Sequence, residues 1–101
     1  MPADAILAHN FVSGFVIIEP NGSVPLHEHE QEEVYYVLKG RGEMTVGQEV
    51  QTMQAVSVVY IPSNTPHTLR NTDTEELHML FVYSPAGMVS HWQEGREGHL
   101  K

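Results

Sequence analysis

The chain has no stretch of ten to fifteen residues with helical periodicity. What it has instead is a series of short runs rich in β-branched and aromatic residues, each stopped by glycine, proline or asparagine. Phe11-Val-Ser-Gly-Phe-Val-Ile-Ile-Glu19 ends in the turn Pro20-Asn21-Gly22. Val34-Tyr-Tyr-Val-Leu38 runs into Gly40-Arg41-Gly42, which reads as a tight hairpin. Glu43-Met-Thr-Val46 alternates polar and apolar and is followed by the turn Gly47-Gln48. Val56-Ser-Val-Val-Tyr-Ile61 stops at Pro62, and Leu77-His-Met-Leu-Phe-Val-Tyr83 stops before Pro85. A parallel βαβ arrangement needs helices between its strands, so this pattern excludes it. The expected fold is all-β: a small antiparallel β-barrel or jelly roll with little or no helix.

At 101 residues the chain makes one domain, 1–101, with 86–101 read as a C-terminal arm. Hydrophobic residues make up 41% and charged residues 18%, a globular balance. Thirteen acids against five bases give a net charge of −8. That excess argues against nucleic acid and against an anionic membrane surface, both of which recruit Lys and Arg. No apolar run is long enough to span a bilayer. The opening Met1–Asn10 lacks a basic region and a long apolar core, so a cytoplasmic location is the default expectation. There is no cysteine and hence no disulfide framework.

Seven histidines is a high count for this length, and three of them fall in two informative segments. In Leu26-His27-Glu28-His29 the alternation of an extended strand puts both imidazoles on one side, close enough to share an ion. Glu33 follows four residues later and returns to that side if the strand continues. The competing reading is a solvated acidic loop, Glu28 to Glu33, that happens to hold histidines. The second segment, Pro62-Ser-Asn-Thr-Pro-His67, follows a strand and re-aims the chain, with His67 opening the next strand.

Together these segments resemble the two motifs of the cupin superfamily. The first stands here as Gly22-x4-His27-x-His29-x3-Glu33-x6-Gly40 and the second as Pro62-x-Asn64-x2-His67-x3-Asn71. The resemblance implies that His27, His29, Glu33 and His67 bind one metal ion. It departs from the usual pattern in three places. One residue fewer separates Gly22 from His27, Val56 stands where the second motif opens with glycine, and Asn64 replaces its internal glycine. Asparagine tolerates a positive φ, so Asn64 suits a turn that requires one.

Three imidazoles and a carboxylate suit Fe, Mn, Ni, Cu or Zn as a divalent ion and discriminate poorly among them. An open coordination position would make the site catalytic rather than structural. Tyr35 and His78 are the two candidate catalytic residues beyond the ligands. Tyr35 shares the parity of Glu33 and Val37, and its phenol could donate a hydrogen bond or simply pack. His78 lies in the last strand, where either Leu77, Met79, Phe81 and Tyr83 or His78, Leu80 and Val82 line the interior. Tyr36 and Trp92 read as core or dimer contacts. His9, His91 and His99, with Glu28, Glu30 and Glu32, read as solvated. Neither Arg41 nor Arg70 is placed to face the metal.

Two function classes follow. One is a metalloenzyme acting on a small neutral or singly charged oxygenated substrate, with dioxygenase, isomerase, decarboxylase or lyase chemistry implied by the resemblance. The other is a non-catalytic module binding a small ligand such as a sugar or carboxylate. The resemblance also implies a homodimer, formed through the Phe11–Ile18 strand.

Overall fold

The computed structural model describes residues 3–86; the expected arm, with His91, Trp92 and His99, lies outside them. Nine strands and no helix occur among the described residues: β1 (Ala3–Leu7), β2 (Val12–Ile18), β3 (Ser23–His27), β4 (Glu32–Lys39), β5 (Arg41–Val46), β6 (Glu49–Gln54), β7 (Ser57–Ile61), β8 (His67–Asn71) and β9 (Leu77–Ser84). They form a five-stranded sheet, β1-β2-β9-β4-β7, and a four-stranded sheet, β3-β8-β5-β6. All pairings are antiparallel. The inner faces of the two sheets enclose one core, a small barrel of the jelly-roll kind.

Strict two-residue alternation decides which side chains enter that core. On β4 the burial alternates without a break from Glu33 through Tyr35 to Val37, while Val34, Tyr36 and Leu38 face out. On β9 the inward set is Leu77, Met79, Phe81 and Tyr83. The alternative left open by parity is thereby resolved. It also corrects the reading of His78 as cavity-facing. The ring lies on the outer side of the five-stranded sheet, edge-on to Phe15 at 5.5 Å and 3.2 Å from a Glu76 carboxylate oxygen.

A further expectation is corrected. Gly40-Arg41-Gly42 is not a hairpin, because β4 pairs with β7 and β9 whereas β5 pairs with β6 and β8. Gly40 is the bend that carries the chain from one sheet to the other. It sits at φ 90°, and a Cβ there would approach the Glu76 carbonyl oxygen to 2.7 Å. The demand for glycine was visible, but a sheet-switching bend and a hairpin make the same demand. Within the Phe11–Ile18 run, Val12–Ile18 forms β2, which lies between β1 and β9 in the five-stranded sheet.

Asn71, the last residue of the second motif, is a structural tie. It is 2% exposed, and its side-chain amide donates to the carbonyls of Ile18 (2.9 Å) and Glu75 (2.8 Å). Its oxygen accepts from the Asp73 N–H at 2.8 Å. One side chain thus joins the end of β8 to β2 and to the following turn. Asn71→Leu leaves two carbonyls and one N–H without their partner. The expected cost is about 2–4 kcal/mol, a fall in Tm on the order of 10 °C or more by thermal melting. A Tm within 2 °C of the parent would contradict this role.

Candidate metal centre

The end of the barrel where β3, β4 and β8 meet gathers His27, His29, Glu33 and His67. One ligand atom from each lies within 4.8 Å of all the others. His27 and His67 are cross-strand partners on β3 and β8, with ring centroids 4.3 Å apart. His29 lies beyond the end of β3 rather than on a continuing strand, yet its ring is 5.3 Å from His27 and 5.1 Å from His67. The register between β3 and β8 is irregular between Val24 and His27, which re-aims this end of the strand. Glu33 enters from β4, 3% exposed, and His67 is 0% exposed. His27 and His29 are half-buried, so they form the outer rim over a deep pair.

The hydrogen bonds of the rings decide what the centre can hold. In all three histidines Nδ1 faces a backbone carbonyl: Pro25 at 2.7 Å for His27, Gln31 at 3.0 Å for His29 and Thr65 at 2.8 Å for His67. A carbonyl only accepts, so each Nδ1 carries the hydrogen and each neutral ring presents a lone pair at Nε2. His29 Nε2 is 3.0 Å and His67 Nε2 is 3.2 Å from the same Glu33 oxygen, which is also an acceptor. His67 Nε2 is sealed from solvent without an aligned hydrogen bond. Lone pairs facing one another across 3 Å repel unless a proton or a cation lies between them. Ligand bonds of ~2.0–2.2 Å around one ion put neighbouring ligand atoms roughly 3.0–3.4 Å apart, and the two separations from Glu33 match. The donor set fits a divalent transition ion, and the carbonyls behind the rings are the supports that fix ligating histidines.

The charge state of the cluster follows from the same contacts. Burial works to raise the Glu33 carboxyl, but contact with His29 and His67 outweighs it and holds the group below its usual range. Burial lowers His29, and its hydrogen bond to Glu33 more than reverses this, so the ring ends above its ordinary value. His27 ends below, chiefly through burial.

Tyr35 packs against the cluster, its ring edge-on to His67 at 5.8 Å. Burial first, and the charge of Glu33 second, push its hydroxyl well above the usual phenol range. It therefore stays protonated. His78 is not brought to the cluster, whereas Tyr83, a member of one of the two inward sets that parity offered, and Gln31, which the sequence reading did not single out, are neighbours of it. Tyr83 is the cross-strand partner of Glu33 with its ring 5.6 Å from His29. Gln31, 1% exposed, shares the parity of Glu33, which was the available signal. Glu28, Glu30, Glu32 and His9 are exposed as expected, and so are Lys39, Arg41 and Arg70. Arg70 pairs with Glu43 at 3.2 Å outside the barrel.

Fold and donor set together define a small β-barrel built around a three-histidine, one-carboxylate centre. Residues 14–83 match the Cupin domain family, and the chain belongs to it. It is 42% identical over 70 residues to an uncharacterised protein of Methanocaldococcus jannaschii, covering 67% of this chain and 56% of that protein. An oxalate-binding protein of Thermotoga maritima is 35% identical over 66 residues, covering 64% and 54% respectively. A solved structure, a Cupin 2 conserved barrel domain protein from Salinispora arenicola, aligns with TM-score 0.75 at 24% identity, over 92% of this chain and 82% of that one. The chain spans about half the length of the first curated relatives it matches.

Proposed function

We propose that the protein is a metal-dependent cupin enzyme acting on a small oxygenated molecule, neutral or singly charged. The observation that carries this reading is the set of imidazole lone pairs aimed at one carboxylate oxygen, an arrangement that a divalent cation relieves. His27, His29, Glu33 and His67 hold the ion. When bound, the ion supplies a Lewis-acid centre with one or two positions left for substrate oxygens. Tyr35 supplies a protonated hydroxyl beside the centre, able to donate to an oxygen of the substrate. The apolar inner faces of β4 and β9 exclude water and strengthen that hydrogen bond.

Charge sets the substrate class. Among the described residues no Lys or Arg faces the interior, and the chain carries −8 overall, a field that repels multiply charged anions. An enol, a keto acid or a monocarboxylate fits better than a phosphate ester. One relative is named for binding oxalate, which favours carboxylate oxygens as the atoms that meet the ion. That same name favours the second reading, a ligand-binding module without turnover.

The metal-loaded protein should be incubated with a panel of enols, catechols and keto acids while oxygen uptake and products are followed. Turnover that Tyr35→Phe lowers tenfold or more supports the enzyme. Saturable binding without turnover establishes the module. A sugar phosphate as tightest ligand overturns the substrate class.

The assembly we propose is a two-fold homodimer, with the interface placed on the outer face of the five-stranded sheet. Val34, Tyr36, Val58, Tyr60, Leu80 and Val82 form a continuous exposed patch across β4, β7 and β9. They present on the order of 500 Å², the apolar share of the ~800 Å² per partner in a standard interface. A second copy is the occupant because a two-fold dimer, the commonest soluble assembly, buries one such apolar patch against its own counterpart. Sedimentation in the micromolar range should give twice 11.3 kDa, and Leu80→Glu should give the monomer with its metal content unchanged. A wild-type protein that stays monomeric throughout that range refutes the interface.

A further inference from the structure

The segment that carries His29 has no strand to hold it, since β3 ends at His27 and β4 begins at Glu32. Its position is set by the turn between β7 and β8. The Asn64 N–H donates to the carbonyl of His29 at 2.7 Å, and the Ser63 hydroxyl donates to the carbonyl of Glu30 at 2.5 Å. The next residue, Thr65, provides the carbonyl that orients the His67 ring. The turn is itself anchored by the Gly47 N–H, which donates to the Pro66 carbonyl at 2.8 Å. Two ligands on separate segments are therefore aimed by one four-residue turn.

That turn works through an unusual backbone. Asn64 sits at φ 57°, the left-handed region that Asn and Gly enter at low cost and that β-branched residues avoid. Its side chain is exposed, so what the residue contributes is the direction of its N–H. If φ moves to the negative side, the 63–64 peptide rotates, and the N–H no longer points at His29.

We infer that Asn64 is a positioning residue for the metal centre, whose left-handed backbone clasps the His29 segment to the His67 turn. The inference rests on the metal reading above, and metal binding rather than activity tests it. The probe is Co(II), added to the full chain and followed by its visible ligand-field bands. Asn64→Gly keeps both the φ and the N–H and should bind Co(II) within about twofold of the parent. Asn64→Val disfavours the φ and should bind roughly ten- to a hundredfold more weakly with shifted bands, the range seen when a ligand's supporting contacts are lost.

Asn64→Ala is the milder variant should valine prevent folding, and a three- to tenfold loss is expected there. Valine or alanine variants that melt lower yet keep the parent affinity and spectrum would overturn the inference, since the turn would then serve the fold alone. A parent chain that binds no Co(II) would instead remove the metal reading on which it stands. Ser63→Ala, which removes the second link without touching φ, should weaken binding in the same direction.

Discussion

His67→Ala is expected to reduce bound metal from about one ion per chain to less than a tenth of that, and to weaken affinity more than ~100-fold. Loss of a contact that merely supports a ligand costs ~10–100-fold, and removing the ligand itself must cost more. His67 is the most buried member of the centre. Its Nε2 faces Glu33 at 3.2 Å, in position to share an ion with that carboxylate. The ring also fills space at the barrel end, and its removal costs about 2–4 kcal/mol as a cavity. Affinity must therefore be measured below the melting range of the variant. Glu33→Gln is the companion that keeps volume and removes charge. It should weaken binding tenfold or more while altering Tm of the metal-free chain far less than His67→Ala. Metal content and thermal stability left unchanged by His67→Ala would show that the cluster is not a metal site.

Metal affinity should also fall steeply on mild acidification, with the decline beginning above pH 6.5. An ion needs the neutral ring of His29, whereas the metal-free pair holds a proton there. The His29 ring stands above the usual 6.5 because of Glu33, so protons compete from a higher pH than at an unperturbed histidine. Each competing proton costs up to about tenfold in affinity per pH unit once the solution is below the group's pKa. The stability of the metal-free chain follows a different course. His29 has a raised folded-state value, so its contribution is fully present below 6.5 and is lost as pH rises through that value. Glu33 has a lowered one, so its contribution is present above 4.5 and is lost as pH falls through the lowered value. His27, lowered by burial, opposes His29: its share is present above 6.5 and fades in acid. Isothermal titrations with Zn(II) at a series of pH values, paired with melts of the metal-free chain, separate the two curves. An affinity constant between pH 5.5 and 8 would contradict the ligand assignment.

Much of this was legible in the residues because the governing periodicities are short-range. Alternation along β4 put Glu33, Tyr35 and Val37 on one side, and the positive φ of Asn64 followed from an asparagine standing where the motif has glycine. The strands β1 and β6 carry no such signal. Ala3–Leu7 has few β-branched residues, and Glu49–Gln54 is exposed at all but Met53, so each is a strand only because a neighbour pairs with it. Gly40 showed a need for glycine without showing which sheet the chain enters next. His78 could not be placed because the last run is apolar on both faces, one facing the core and the other the proposed partner. The three carbonyls behind the clustered rings were invisible for a simpler reason. Every residue has a carbonyl, and only the fold decides which ones meet a histidine. His27 and His29 converge although His29 has left the strand, so strand alternation named a pair that meets while a loop supplies the geometry.

The most direct test of the central claim is elemental analysis of protein purified without an affinity tag and without chelators, followed by X-ray absorption at the edge of the metal found. About one divalent transition ion per chain is expected, with three imidazole nitrogens and one carboxylate oxygen at ~2.0–2.2 Å. A chain that emerges metal-free, and remains so after dialysis against Mn, Fe, Co, Ni, Cu and Zn in turn, would contradict the account.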